Sequence, residues 1–150
     1  MLPYDDLLSD LRGLYEGERD PIANAANTAA TIWQHLPDIN WAGFYFLKDG
    51  ELVLGPFHGK PACVRIAMGQ GVCGTAAARK ATVVVPDVHK FPGHIACDGA
   101  SNSEIVVPLI REGRLIGVLD IDSPRLGRFA DADRAGCEAV AAAYVAALGG

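Results

Sequence analysis

One irregular stretch collects more reactive side chains than any other part of the chain. It runs from Pro86 to Glu104, PDVHKFPGHIACDGASNSE, and holds His89, His94, Cys97, Asp98 and Glu104. Two prolines and two glycines mark it as a long loop between apolar strands. An irregular segment of this length in a small domain is usually functional or disordered. Its Phe, Ile, Cys and His content suits a lid or wall over an active site, with Cys97 at the centre. Three chemistries compete for Cys97. It could be a small buried hydrophobe, the common fate of a free cysteine. It could join Cys63, Cys73, His89 and His94 as a zinc ligand, although no Cys-x-x-Cys pair is present and the spacings fit no common pattern. The reading preferred here is a reactive thiolate that works with one or two partner cysteines.

The remaining candidates fall elsewhere. Cys73 opens a short predicted helix in Gly71-Val72-Cys73-Gly74, and a helix N-terminus lowers a thiol pKa; a redox role and a packed position both fit. Cys137 lies on the apolar face of the last predicted helix and reads as core. Asp120 and Asp122, in Leu119-Asp120-Ile121-Asp122, are costly in a strand and mark either a solvated strand end or a polar patch inside a pocket. His89 and His94 read as hydrogen-bonded loop residues before general bases. The glycines at 69–74 are no phosphate loop, because no Gly-Lys-Ser/Thr follows.

Composition narrows the class. The chain has 150 residues, 50% apolar and 21% charged, which fits one soluble domain spanning 1–150 with a sizeable core. A net charge of -5 without a Lys/Arg run argues against nucleic acid and anionic membrane surfaces as partners. There is no basic, then apolar leader and no apolar run near the roughly 20 residues of a membrane span, so a cytoplasmic protein is expected. The four cysteines are then no disulfide framework.

The elements that must position these residues follow from periodicity. Tyr4, Leu7, Leu8, Leu11 and Leu14 predict a helix from Pro3 to about Tyr15. Asp20-Pro21 is an N-cap followed by proline at the first helical position. Ile22, Ala26, Ala29, Trp33 and Leu36 carry that second helix to about His35. Trp41–Leu47 and Glu51–Leu54 form a hairpin about Asp49-Gly50; Gly55 to Lys60 reads as loop. A short strand at 64–66, a short helix within 69–80 and a strand at 82–85 precede the reactive loop. Glu104–Ile110 and Leu115–Ile121 make a second hairpin, and a helix after about Ala130 buries Cys137, Val140, Ala141, Tyr144 and Leu148. Short strands joined by hairpins predict an antiparallel sheet with the terminal helices packed on one face, an α+β domain.

Alternate strand residues share a face. Ile105, Val107, Leu109, Leu119, Ile121, Phe44 and Phe46 then face the helices. Glu104, Asp120, Asp122, Trp41 and Tyr45 face the other way, where loops and the short helix are expected to form a pocket under the Cys97 loop.

Several segments together carry a family resemblance: Asn40-Trp41-Ala42-Gly43-Phe44-Tyr45, Gly55-Pro56-Phe57, Pro61-Ala62-Cys63-Val64-Arg65-Ile66, Gly71-Val72-Cys73-Gly74-Thr75-Ala76, Val85-Pro86-Asp87-Val88, Pro92 to Glu104, and Gly117 to Pro124. The combination resembles the free methionine-(R)-sulfoxide reductases, which are single GAF domains with a six-stranded antiparallel sheet. The resemblance implies Cys97 as the catalytic cysteine, Cys63 as the resolving cysteine and Cys73 as an auxiliary one. It implies Glu104, Asp120 and Asp122 as pocket carboxylates and Trp41 and Tyr45 as aromatics lining the substrate pocket. It implies free methionine-(R)-sulfoxide as substrate, thioredoxin as reductant, no cofactor, and by analogy a homodimer through the Ala-rich helices. A GAF domain can also be a sensor of small ligands such as cyclic nucleotides, which is the competing expectation.

Overall fold

The structure is a computed structural model that describes residues 3–94 and 99–149. Helices α1 (Pro3–Tyr15) and α2 (Pro21–His35) lead into the hairpin of β1 (Trp41–Lys48) and β2 (Glu51–Gly59). Then come β3 (Arg65–Ala67), α3 (Gly71–Arg79) and β4 (Val83–Val85). After a single 3-10 turn at Val88–Lys90, β5 (Ser103–Arg111) and β6 (Arg114–Ser123) form the second hairpin, and α4 (Asp131–Ala147) closes the chain. The sheet has six strands in the order β3-β2-β1-β6-β5-β4, every paired neighbour antiparallel.

Local chemistry sets the element ends. Asp20 caps α2 by accepting from the amides of Ile22 and Ala23 at 2.8 and 3.0 Å, and Pro21 takes the first helical position. Asp133 starts α4 by reaching back to the Ala130 amide at 2.8 Å. Its other oxygen accepts from the Tyr4 hydroxyl at 2.8 Å, which ties α4 to α1.

One face of the sheet is covered by α1, α2 and α4. Leu7, Leu11, Phe44, Ile105, Leu109, Leu119, Ile121 and Tyr144 are fully buried there, each contributing about 2–3 kcal/mol by leaving water. The other face carries α3 and a second apolar cluster that includes Trp41, Tyr45, Val72, Ala76, Val106 and Val118. The alternation read from the strands therefore describes both faces.

Three local expectations need correction. The second helix does not bury Ile22, Ala26 and Trp33, which are exposed. Its inner stripe is Asn24, Ala25, Thr28, Ala29 and Ile32. Polar groups on that stripe are satisfied internally, Asn24 Nδ2 by Glu18 O and Thr28 Oγ1 by Asn24 O, so the apolar pattern points one position off. The strand after Asp49-Gly50 does not stop at Leu54 but runs to Gly59. Its register shifts between Gly43 and Tyr45 of β1, and that bulge accommodates Pro56, the position in a sheet that a residue without an amide hydrogen tolerates. Lastly, α4 ends at Ala147 and Leu148 is its C-cap, half-buried but still packed against the helix-side core.

Candidate active site

The central strands bring the carboxylates together. Glu104 of β5 pairs with Asp122 of β6, and Asp122 pairs on its other side with Trp41 of β1. Asp120 lies two residues earlier on β6, on the same face, opposite Val106 and Gly43. Gly43 has no side chain for a physical reason: a Cβ there would lie 2.3 Å from Phe57 Cβ. Phe57 instead closes over β1 and stacks on Trp41, with ring centroids 5.1 Å apart. Trp41 and Tyr45 lie nearly parallel to each other, 6.0 Å between centroids.

Together these groups line a cavity of about 50 Å³. Trp41, Tyr45, Glu104, Asp120 and Asp122 form one part of its wall; Ala62, Ile66, His94 and Ser101 form another. The start of α3 closes it with Gln70, Gly71, Val72 and Cys73. Gly71 adopts φ 63, a left-handed conformation suited to glycine, as the chain turns into the helix.

The electrostatics of the cavity are unusual. Three carboxylates face it, and among the described residues none that lines it is a lysine or arginine. Burial, followed by repulsion from Asp120, raises the Glu104 carboxyl well above the usual range. Burial and the charge of Asp122 do the same to Asp120. Both acids therefore hold protons at pH values where a surface carboxylate is ionised. Asp120 Oδ1 is buried without a hydrogen-bond partner among the described residues. Burial and the surrounding carboxylates also raise the Tyr45 phenol.

Cys73 reverses one expectation. Its position in the first turn of α3 would lower its pKa, yet the thiol is pushed well up, by burial first and then by Asp120, Glu104 and Asp122. Desolvation beside three carboxylates outweighs a helix end. The thiol donates weakly to Glu104 Oε2 at 3.9 Å. Cys63 differs: it is disulfide-bonded and half-buried, while Cys73 and Cys137 are free and buried. Cys97, the centre of the reactive loop, and its neighbour Asp98 lie outside the described residues.

The zinc alternative named Cys63, Cys73, His89, His94 and Cys97. Among the described residues the groups close enough to share a cation are instead Cys73, Glu104 and Asp120, with one ligand atom from each within 4.8 Å of the others. His89 is a loop anchor, its Nε2 2.9 Å from Asn102 Oδ1. His94 lines the cavity and is kept neutral more readily than a free imidazole, by burial and by His89.

The model of the GAF domain family matches residues 23–148. Free methionine-R-sulfoxide reductase of Escherichia coli (strain K12) is 59% identical over 133 residues, covering 89% of this chain and 81% of that protein. The chain belongs to the free methionine-R-sulfoxide reductase family. Among solved structures, the reduced form of fRMsr of Staphylococcus aureus superimposes with a TM-score of 0.95 at 49% identity, covering 97% of this chain and 95% of the other. The free methionine-R-sulfoxide reductase from Neisseria meningitidis, solved in complex with its substrate, gives 0.93 at 44%, with 97% and 87% covered. Membership places the chain among the oxidoreductases and its fold among GAF domains.

For a free methionine-R-sulfoxide reductase family member, the strand alternation alone identifies five of the cavity residues. His94, Ser101, Gln70, Gly71 and Val72 escape it, because they belong to loops and to a helix start. The Gly71-Val72 pair ahead of Cys73 was the available signal. A glycine that turns the chain into a helix presents the helix start to whatever lies before it.

Proposed function

We infer that this protein reduces free methionine-(R)-sulfoxide to methionine. The observation that carries the reading is the pair of buried carboxyls, Glu104 and Asp120, facing Trp41 and Tyr45 across a small cavity, where burial raises both above the usual carboxylate range. A thiolate attacks a sulfoxide sulfur once the oxygen is protonated, and a buried carboxylic acid with a raised pKa supplies that proton. Cys97 is the nucleophile. Its sulfur bonds to the substrate sulfur and the oxygen is transferred to it, so methionine leaves and Cys97 becomes a sulfenic acid. The Cys63 thiol condenses with the sulfenic acid, releasing water and forming a disulfide. The disulfide-bonded state of Cys63 beside two free cysteines supports that assignment. An external dithiol, thioredoxin by family analogy, returns both cysteines to thiols.

Trp41 and Tyr45 hold the S-methyl end. Asp120, with an oxygen lacking a partner, takes the ammonium of a free amino acid. Glu104, assisted by Asp122, protonates the sulfoxide oxygen. Cys73 is auxiliary, since its raised pKa makes it a poor nucleophile while it remains buried. Residues 1–150 act as one GAF domain, and the family analogy extends to a cytoplasmic location and a homodimer through the Ala-rich helices. Among the described residues, no helix is long and apolar enough to cross a membrane.

The sensor reading fares worse because the acidic cavity offers a nucleotide phosphate no lysine or arginine among the described residues. The test is NADPH consumption by the protein with thioredoxin, thioredoxin reductase and free methionine-(R)-sulfoxide. Turnover is expected. No turnover, together with tight cyclic-nucleotide binding, overturns the reading.

A further inference from the structure

Trp41 and Tyr45 turn their rings to the cavity, while their polar ends reach past it to one segment of chain. Trp41 Nε1 donates to the carbonyl of Lys60 at 3.0 Å. The Tyr45 hydroxyl donates to the carbonyl of Cys63 at 2.8 Å. The segment so held, residues 60–63, has no helical or strand structure and links β2 to β3. Its entry is fitted to Trp41 as well. Gly59 takes φ 131, and a Cβ there would lie 2.6 Å from Trp41 Cδ1, so the chain passes directly over the indole. Beyond Cys63 the next backbone tie is Leu54 N to Val64 O at 2.9 Å, where the sheet resumes. The stretch between the two strands is thus pinned to the rigid β1 strand through two side chains, both almost fully buried.

We propose that Trp41 and Tyr45 are positioning residues for the second half of the reaction, their hydrogen bonds to Lys60 and Cys63 holding the Cys63 backbone where its thiol meets the sulfenic acid. This rests on the reductase reading above. The step is Cys–SOH plus Cys–SH giving Cys–S–S–Cys plus water: the Cys63 thiol loses its proton, its sulfur displaces the hydroxyl, and the hydroxyl leaves as water with that proton. A disulfide forms only over a narrow range, with Cα atoms roughly 4.4–6.8 Å apart. A linker with two soft dihedrals per residue meets that range only part of the time, and fixing its backbone raises the effective concentration of the thiol. The donors are dependable. An indole N–H does not titrate, and burial beside Asp120 keeps the Tyr45 phenol protonated. The same rings that grip the substrate therefore carry the resolving cysteine, and the two half-reactions share a support.

The experiment is a single turnover of the reduced protein with free methionine-(R)-sulfoxide and no reductant, in wild type, Tyr45→Phe and Trp41→Phe. Methionine release reports the sulfoxide step. Loss of the Cys63 thiol, read by alkylation and mass spectrometry after quenching, reports disulfide formation. Each variant keeps a ring and loses one hydrogen bond. The ratio of the disulfide rate to the methionine rate is expected to fall about fivefold to tenfold, the kinetic equivalent of one hydrogen bond, and sulfenic acid should accumulate and be captured by dimedone. An unchanged ratio in both variants overturns the proposal and leaves the aromatics as substrate contacts only. Failure of the wild type to release methionine overturns the reductase reading instead, and the two failures are distinguishable in one experiment.

Discussion

At the scale of single residues, protonation divides the labour in the cavity. Glu104 is raised by burial and then by Asp120, and Asp120 by burial and then by Asp122. A carboxyl raised in the folded state binds more protons there than in the unfolded chain. It therefore favours folding fully below the unfolded pKa of about 4, and this contribution disappears as pH rises through the folded value. The ligand-free protein should accordingly lose stability as pH rises above the unfolded carboxyl pKa of about 4, and Glu104→Gln should flatten the loss. Urea midpoints across that range check it; a wild-type midpoint that rises with pH contradicts the burial account. Under the proposed function the same proton serves chemistry. Glu104→Gln should slow the sulfoxide step more than it weakens binding, because an amide is a far poorer acid, whereas Asp120→Asn should mainly weaken binding. The carboxylates titrate as a coupled group, so their single-variant effects should not add. Single-turnover rates against pH separate the roles, and a wild-type chemical step in Glu104→Gln moves the acid to Asp122. Among the cysteines, Cys97→Ser should abolish methionine formation. Cys63→Ser should retain one turnover and lose recycling by thioredoxin. Methionine yield per enzyme with and without thioredoxin decides both, and substantial activity in Cys97→Ser removes it as nucleophile.

At the scale of elements, close approach explains one glycine that helix propensity alone would reject. Gly136 lies inside α4, where alanine normally stabilises by about 1 kcal/mol. Here a Cβ would sit 2.3–2.5 Å from the Tyr4 ring carbons, and that ring is held by its hydroxyl on Asp133. Gly136→Ala should therefore destabilise, by about 1–3 kcal/mol, and a denaturation midpoint above wild type would show that α1 shifts freely. Elements also show what a sequence discloses. Strand alternation was legible because central strands bury one face against helices and turn the other to a pocket, so Glu104, Asp120 and Asp122 could be grouped with Trp41 and Tyr45 from spacing. The end of β2 was not legible, because Gly55-Pro56 reads as a turn until a bulge opposite Phe44 accommodates it. The inner stripe of α2 was hidden by Asn24 and Thr28, whose polar atoms find partners within the same stretch of chain. The state of Cys73 was hidden for a different reason: a thiol's pKa depends on carboxylates about 30 to 50 positions away in sequence, which only the folded sheet brings near.

At the scale of the whole molecule, the proposed function makes the acidic lining of the cavity a selector between forms of methionine sulfoxide. A free amino acid brings an ammonium to Asp120 and its neighbours; an acylated nitrogen brings no charge and more bulk. The ratio kcat/KM for the free compound should exceed that for its N-acetyl derivative by at least about tenfold, the worth of one charged hydrogen bond. Equal rates on the two would remove the ammonium from the account. A second consequence belongs to protein engineering. Along β1, β5 and β6 the residues that build the helix-side core and those that line the cavity take turns, Phe44 before Tyr45, Ile105 after Glu104, Ile121 between Asp120 and Asp122. A library that randomises Glu104, Asp120 and Asp122 leaves the helix-side layer and the Trp41 and Tyr45 anchors as they are, so new specificities can be screened without rebuilding the fold. Gaining or losing one residue inside β6 does the opposite: from that point the strand's carboxylates exchange places with its aliphatic residues, and scaffold and specificity fail together.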